Sequence, residues 1–346
     1  MTEARTDPDV LYVGTYTNNI HLVRMDRRSG ELLQVGVVDS GPRPSFIAIH
    51  PNRRVVYAVN EIDKGTVSAY AVEPATGGLT RLNEQPSQGG APCYLSVDRS
   101  GRALLVANYT GGNVALLPIE SNGALGAARM VQHTGKGPNA ERQEAPHAHC
   151  ILPDPTNCFA LAADLGADRV FVYRLDLEGK TLQPAGEAVM RPGAGPRHLA
   201  FHPTLPLVLV ANELSSTVST LRFDPARGAV SLLGTVSTFP PARTGTNYPA
   251  DIHIDRAGRT LYVSNRGHNT IAVFSVTNEG GLALEQTVST EGDWPRSFTL
   301  DPTEQWLLVA NQRTNSVIVF RRDTDTGRLS PTRQRLEIAS PVCLRF

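Results

Sequence analysis

Three arginines, a histidine and a glutamate recur at matching points of a repeating sequence: Arg197, Arg266, Arg296, His149 and Glu213. A guanidinium recognises planar carboxylate or phosphate through paired N–H groups. An imidazole or a carboxylate beside it can carry a proton. Brought together, this set would bind a small anion and do acid–base chemistry on it. Taken singly, each has a plainer reading, because an arginine at a strand end is often a surface charge or the partner of a nearby acid. Whether they act as one depends on the elements that carry them.

Those elements repeat. PSFIAIHPNRRVVYAVN, PCYLSVDRSGRALLVAN, PRHLAFHPTLPLVLVAN, PADIHIDRAGRTLYVSN and PRSFTLDPTEQWLLVAN each run 16 residues from Pro to Asn, starting at Pro44, Pro92, Pro196, Pro249 and Pro295. A sixth copy, PHAHCILPDPTNCFALAADL, is irregular; the same spacing puts Ala148 in the Pro place and His149 after it. An alternating run follows each unit, then a Gly-x-Leu type turn, then another apolar run. Alternation between turn signals reads as short strands, four to a repeat of about 50 residues. The chain begins with a unit lacking its first strand and ends in SPVCLRF, a first strand with nothing after it. Joined, the two ends complete one unit. The fold expected is an all-β, seven-bladed β-propeller of four-stranded blades, closed by the C-terminal strand joining the N-terminal blade. It is a single domain over 1–346, with 1–9 as a disordered tail.

In this architecture the residue after each Pro and the residue after each Asn meet at one mouth of the ring. The first set is Ser45, Cys93, His149, Arg197, Ala250, Arg296 and Val342; the second is Tyr16, Glu61, Tyr109, Leu165, Glu213, Arg266 and Gln312. The charged members gather on adjoining blades. His149, Arg197, Glu213 and Arg266, with His147 two residues from His149, are the candidate catalytic groups. Arg296, Tyr16, Tyr109, Gln312 and Asp251 are candidate substrate contacts. Asp251 and His253 in PADIHI also read as a structural pair within the blade, and Glu61, among neutral neighbours, is weaker than Glu213. The long connections 132–149 and 238–250 cross this mouth and carry Lys136, Arg142 and Arg243 as further anion contacts. A place at a mouth also implies that Arg266→Ala costs activity and leaves the fold nearly unaffected.

Composition narrows the classes. Lys plus Arg and Asp plus Glu are 33 each, so the net charge is zero. That argues against general binding to nucleic acid or an anionic membrane. Cys93, Cys150, Cys158 and Cys343 are scattered, and the expectation is buried thiols in strands of a cytoplasmic protein. No metal-ligand spacing and no cofactor motif is present, so none is expected. A propeller closed on itself is expected to be a monomer or a weak dimer.

LYVGTYT, VANYTGGNV, PHAH with ADLGADRVFVYRLD, GAGPRHLAFHP, VANELSSTV and ADIHIDRAGRTLYVSNRGHNTIAVF together resemble the seven-bladed lactonase family. That family includes propeller-type 6-phosphogluconolactonases and fungal carboxy-cis,cis-muconate lactonizing enzymes. The resemblance runs from residue 11 to 346. It implies a metal-free site of Arg, His and Glu at one end of the channel, on His149 (with His147 beside it), Arg197, Glu213 and Arg266, and a family position for Arg296. Hydrolysis of an anionic sugar lactone, 6-phosphogluconolactone above all, is the leading reading, with Glu213 or His149 as general base. A muconate-type cycloisomerase, or a lactonase for another carboxylated lactone, uses the same residues. A non-catalytic propeller displaying its surface to a partner ranks third, with aromatic residues at only 6%.

Overall fold

The computed structural model describes residues 10–240 and 245–346. The expected tail, 1–9, and Arg243 lie outside them. The described residues form seven four-stranded antiparallel sheets, and their innermost strands touch one another in a closed cycle. This is the expected propeller. The last strand, Pro341–Arg345, pairs with the first, Val10–Thr15, placing Val13 opposite Leu344 and Gly14 opposite Cys343. The two chain ends thus build one blade.

Each strand's composition follows from its radius in the ring. The second strand of a blade is packed on both faces by neighbouring blades. It therefore reads as an unbroken apolar run, fully buried in Val55–Asn60, Ala103–Asn108 and Leu207–Asn212. Burying each Val or Leu there contributes roughly 1.5–3 kcal/mol. The outermost strand meets solvent and alternates, as in Leu79–Pro86. The Gly-x-Leu turns lock adjacent blades. Gly77 has a φ of +76°, and a Cβ there would lie 2.6 Å from Val10 in the preceding blade; its carbonyl accepts from the Tyr12 hydroxyl at 2.8 Å. In the longer GKTL turn, Lys180 takes the left-handed conformation, with a φ of 54°.

In four of the five regular copies the repeated Asn anchors the connection arriving from the previous blade, whereas Asn212 bonds Thr217 and Ser219 of its own blade. Asn60 donates to the carbonyl of Pro42, Asn108 to that of Ser87, Asn265 to that of Thr238 and Asn311 to that of Thr290. In the irregular repeat Asp164 stands in this place. Its carboxylate bonds His133 Nδ1 at 2.6 Å and accepts from the His147 backbone N–H at 2.7 Å, tying down both ends of the 132–149 loop. The repeat therefore anchors the mouth's loops as well as its strands.

One expectation fails here. Cys93, Cys150 and Cys343 are buried, but Cys158 is exposed, because it lies in the turn before the strand Phe159–Asp164 rather than inside it. A bulky thiol reagent on the native protein should label Cys158 alone, the other three reacting only after denaturation. Labelling of Cys93 or Cys343 without denaturant would contradict this packing.

Candidate active site

The mouth residues are aimed by a recurring irregularity. After the initiating Pro, or Ala148 in its place, the first strand skips one residue of its pairing. The skips fall between Pro92 and Tyr94, Ala148 and Cys150, Pro196 and His198, and Pro295 and Ser297. In the blade whose first strand is Tyr248–Ile254 the skip spans Ala250 and Asp251. A β-bulge leaves its extra residue unpaired and turns its side chain out of the alternation. Pro helps to set it there, having no N–H for the ladder. Cys93, His149, Arg197 and Arg296 are all bulge residues. Two consecutive side chains can then face the same space, as Arg197 with His198 and Arg296 with Ser297 do in lining the axial cavity.

Glu213 is the centre of one charged cluster. Its Oε2 accepts from Arg266 Nη2 at 2.5 Å and lies 3.0 Å from Arg197 Nε. Its Oε1 accepts from Arg142 Nη2 at 2.7 Å. The Arg197 Nε contact is coulombic, since its N–H is not directed along the oxygen. Arg197 is 1% exposed, and Arg266 and Glu213 are 4%. Burial opposes the Glu213 charge, but Arg266, Arg197 and Arg142 together outweigh it and hold the carboxyl well below the usual range. A carboxylate so paired is a poor proton acceptor; its role is to gather guanidiniums. Burial, with Arg266 and Arg296 nearby, pushes Arg197 down to about 9, still protonated at neutral pH.

A second chain of contacts positions Arg197 from behind. Asp251 Oδ1 bonds His198 Nδ1 at 2.9 Å, and His198 Nε2 faces Arg197 Nη1 at 3.0 Å. With Nδ1–H donated to the carboxylate, Nε2 is left to accept from the guanidinium. Arg197 Nη1 also donates to the Ala250 carbonyl at 2.7 Å. Burial and the Arg197 charge push His198 down to about 3, against the pull of Asp251, so the imidazole is neutral. The other Asp251 oxygen accepts from Ser297 at 2.9 Å and meets His253 Nε2 at 3.4 Å. Asp251 is 3% exposed; it is a support for His198 and Arg197, not a surface at the cavity.

The other expected residues divide. His149 is buried, with Nδ1 3.6 Å from the Cys93 thiol and its ring 5.3 Å from that of His198. Burial, with Arg197, His198 and Arg296 nearby, holds it well below the usual imidazole range. His147 is turned away: Nδ1 bonds the Tyr109 carbonyl and Nε2 bonds Glu144, both at 3.0 Å, and its ring stacks on Tyr109. Tyr109 in turn accepts from Arg142 at 3.3 Å. Gln312 keeps a buried Oε1 without a partner among the described residues. Lys136 is exposed on its loop.

Arg296 differs from the other arginines. Among the described residues no hydrogen bond or ion pair engages it; its guanidinium lies 5.2 Å from the Tyr16 ring centroid. Burial works against its charge, but Tyr16, Glu61 and Glu213 outweigh burial and keep it above its ordinary range. It lines the cavity with Ser45, Glu61, Cys93, Arg197 and His198. His198 lies outside the expected set, because strict alternation sends the neighbour of Arg197 to the other face. The signal for it was the dipeptide Arg-His at a bulge. Ser45 and Glu61 are among the expected mouth positions, and both line this cavity.

Arg266→Ala is expected from its place at the mouth to cost activity and spare the fold; the structure instead buries the Arg266 charge against Glu213, so the variant should lose stability as well. Glu213→Gln should cost about 3–5 kcal/mol at neutral pH by leaving buried guanidiniums uncompensated. The Glu213 contribution is complete above its unfolded value of ~4.3 and fades as pH falls below it. The gap between the unfolding midpoints of parent and variant should therefore hold steady above about pH 5 and shrink progressively as pH falls below about 4, and a gap that stays constant down to about pH 2 would disprove the assignment.

The chain matches the family model for the seven-bladed β-propeller lactonase over residues 10–346. A 6-phosphogluconolactonase of Bacillus subtilis is 38% identical over 342 residues, covering 97% of each chain. Among solved structures, a protein from Lactobacillus plantarum shares 36% identity at a TM-score of 0.92, covering 97% of this chain and 98% of that one. A periplasmic gluconolactonase of Pseudomonas aeruginosa shares 32% at a TM-score of 0.92, with the same coverage. On its bulge-aimed arginines, its ring and these full-length matches, the chain belongs to the seven-bladed β-propeller lactonase family.

Proposed function

We propose that this protein hydrolyses 6-phosphogluconolactone to 6-phosphogluconate without a metal. The observation that carries the reading is Arg296, a guanidinium with no ion-pair partner among the described residues, beside the fixed guanidinium of Arg197 at one cavity. Two such donors suit the oxyanion that develops when water adds to a lactone carbonyl, each being worth about 3 kcal/mol when preorganised. Glu213, His198 and Asp251 keep Arg197 in place, so little reorganisation is needed as charge forms. Arg142, with 36% of its side chain exposed, and Lys136 lie on the loop 132–149 and suit the substrate's phosphate. The name of the Bacillus subtilis relative supports the phosphorylated lactone, and supports hydrolysis over cycloisomerisation. The free thiols support a reducing, cytoplasmic setting, and ring closure supports a monomer.

The test is acid release from 6-phosphogluconolactone generated in situ, compared with its spontaneous rate and with unphosphorylated gluconolactone. The parent should prefer the phosphorylated lactone. Arg296→Ala should lower kcat/KM roughly 100-fold and should cost less stability than Arg266→Ala, since no ion-pair partner is left behind. A parent rate no faster than the spontaneous one on either lactone would overturn the reading.

A further inference from the structure

Hydrolysis needs a group to take the proton from water, and the cavity offers few. Glu213 is occupied by three guanidiniums. His198 spends one nitrogen on Asp251 and the other on Arg197. Asp251 is committed to His198 and Ser297. His149 is buried beside Arg197 and Arg296, where an imidazolium would face two guanidiniums. Glu61 is the exception. It lines the cavity with Arg197 and Arg296, is half-buried, and forms no ion pair among the described residues.

Glu61 is nevertheless held in place. Its Oε1 accepts from the Tyr16 hydroxyl at 3.1 Å and its Oε2 from the Ser45 hydroxyl at 2.5 Å. Its backbone N–H donates to the Arg43 carbonyl at 3.0 Å. A carboxylate has about four lone-pair sites, so these two bonds fix its plane and leave roughly half its accepting capacity toward the cavity. The groups facing it are Tyr16, Ser45, Cys93, Arg197 and Arg296. Both hydroxyls are uncharged donors, and both cations stand where the oxyanion would form.

The geometry points to Glu61 as the general base of this site, an assignment that rests on the lactonase reading above. Glu61 takes a proton from water as the water oxygen bonds to the lactone carbonyl carbon. The carbonyl π pair moves onto oxygen, between Arg197 and Arg296. When the adduct collapses, the ring C–O bond breaks and the proton on Glu61 passes to the departing ring oxygen, which leaves as a hydroxyl. The new carboxylic acid releases its proton to solvent, so atoms and charge balance. The blades opposite the arginine cluster thus supply the base, and Tyr16 and Ser45 orient it.

The experiment uses the full-length protein and 6-phosphogluconolactone. Glu61→Gln should lower kcat at least 100-fold with KM changed less than threefold, and should lose the acidic limb of the pH–rate profile. Formate added to Glu61→Ala should restore activity at least tenfold. Tyr16→Phe keeps the carboxylate but removes a hydrogen bond to its charged form. It should shift the acidic limb of the pH–rate profile measurably from that of the parent, which a merely structural Glu61 would not do. An active parent alongside a Glu61→Gln within threefold of it overturns this role alone. If Glu61→Gln fails to fold, an unmoved limb in Tyr16→Phe overturns it instead. A parent inactive on both phosphorylated and unphosphorylated lactones overturns the lactone reading and this role with it.

Discussion

The whole architecture depends on one antiparallel pairing, that of Pro341–Arg345 with Val10–Thr15. It joins the chain ends in a single sheet and holds seven blades in a ring. Each blade buries an apolar second strand against its neighbours, which none could do alone. Only in the closed ring do the first strands face one axis. The cavity draws on residues from across the chain, from Ser45 to Val342, and would not exist in an open array.

Bulges turn this scaffold into a site. In a regular strand, Arg197 and His198 would point to opposite faces. Skipping one residue of pairing brings both to the cavity, where the imidazole supports the guanidinium from behind. The same device presents Arg296 with Ser297. The Pro that begins each strand is thus part of how the site is aimed, and the Asn that ends the next strand secures the loop above it.

The electrostatics divide the mouth into two parts. On one side Glu213 gathers Arg142, Arg197 and Arg266 into a positive wall in which one carboxylate offsets part of the charge of three guanidiniums. On the other, Glu61 is held by the hydroxyls of Tyr16 and Ser45. Arg296 lies between them, close to Tyr16 yet bound by no carboxylate. Charges needed for support are paired, and those suited to reaction are not. A buried ion-pair network of this kind is weak evidence for stability gained, but it keeps a guanidinium preorganised.

Much of this was legible in the sequence, because repetition exposes it. The 16-residue Pro-to-Asn spacing, the Gly-x-Leu turns and the split terminal repeat specify blade number, strand order and closure, since each reflects local backbone chemistry. The same spacing places His149, Arg197, Glu213, Arg266 and Arg296 at one mouth. Tertiary structure alone decided which of them are partnered. Glu61 reads as isolated among neutral neighbours along the chain, yet in space it lines the cavity with Arg197 and Arg296 and forms no ion pair with either. His147 and His149 are two residues apart, yet one staples a loop and the other enters the cluster. Asp251 likewise finds its partners, His198 and Ser297, on the neighbouring blades. Periodicity tells which way the backbone runs, whereas pairing of charge depends on distances between blades that no local pattern encodes.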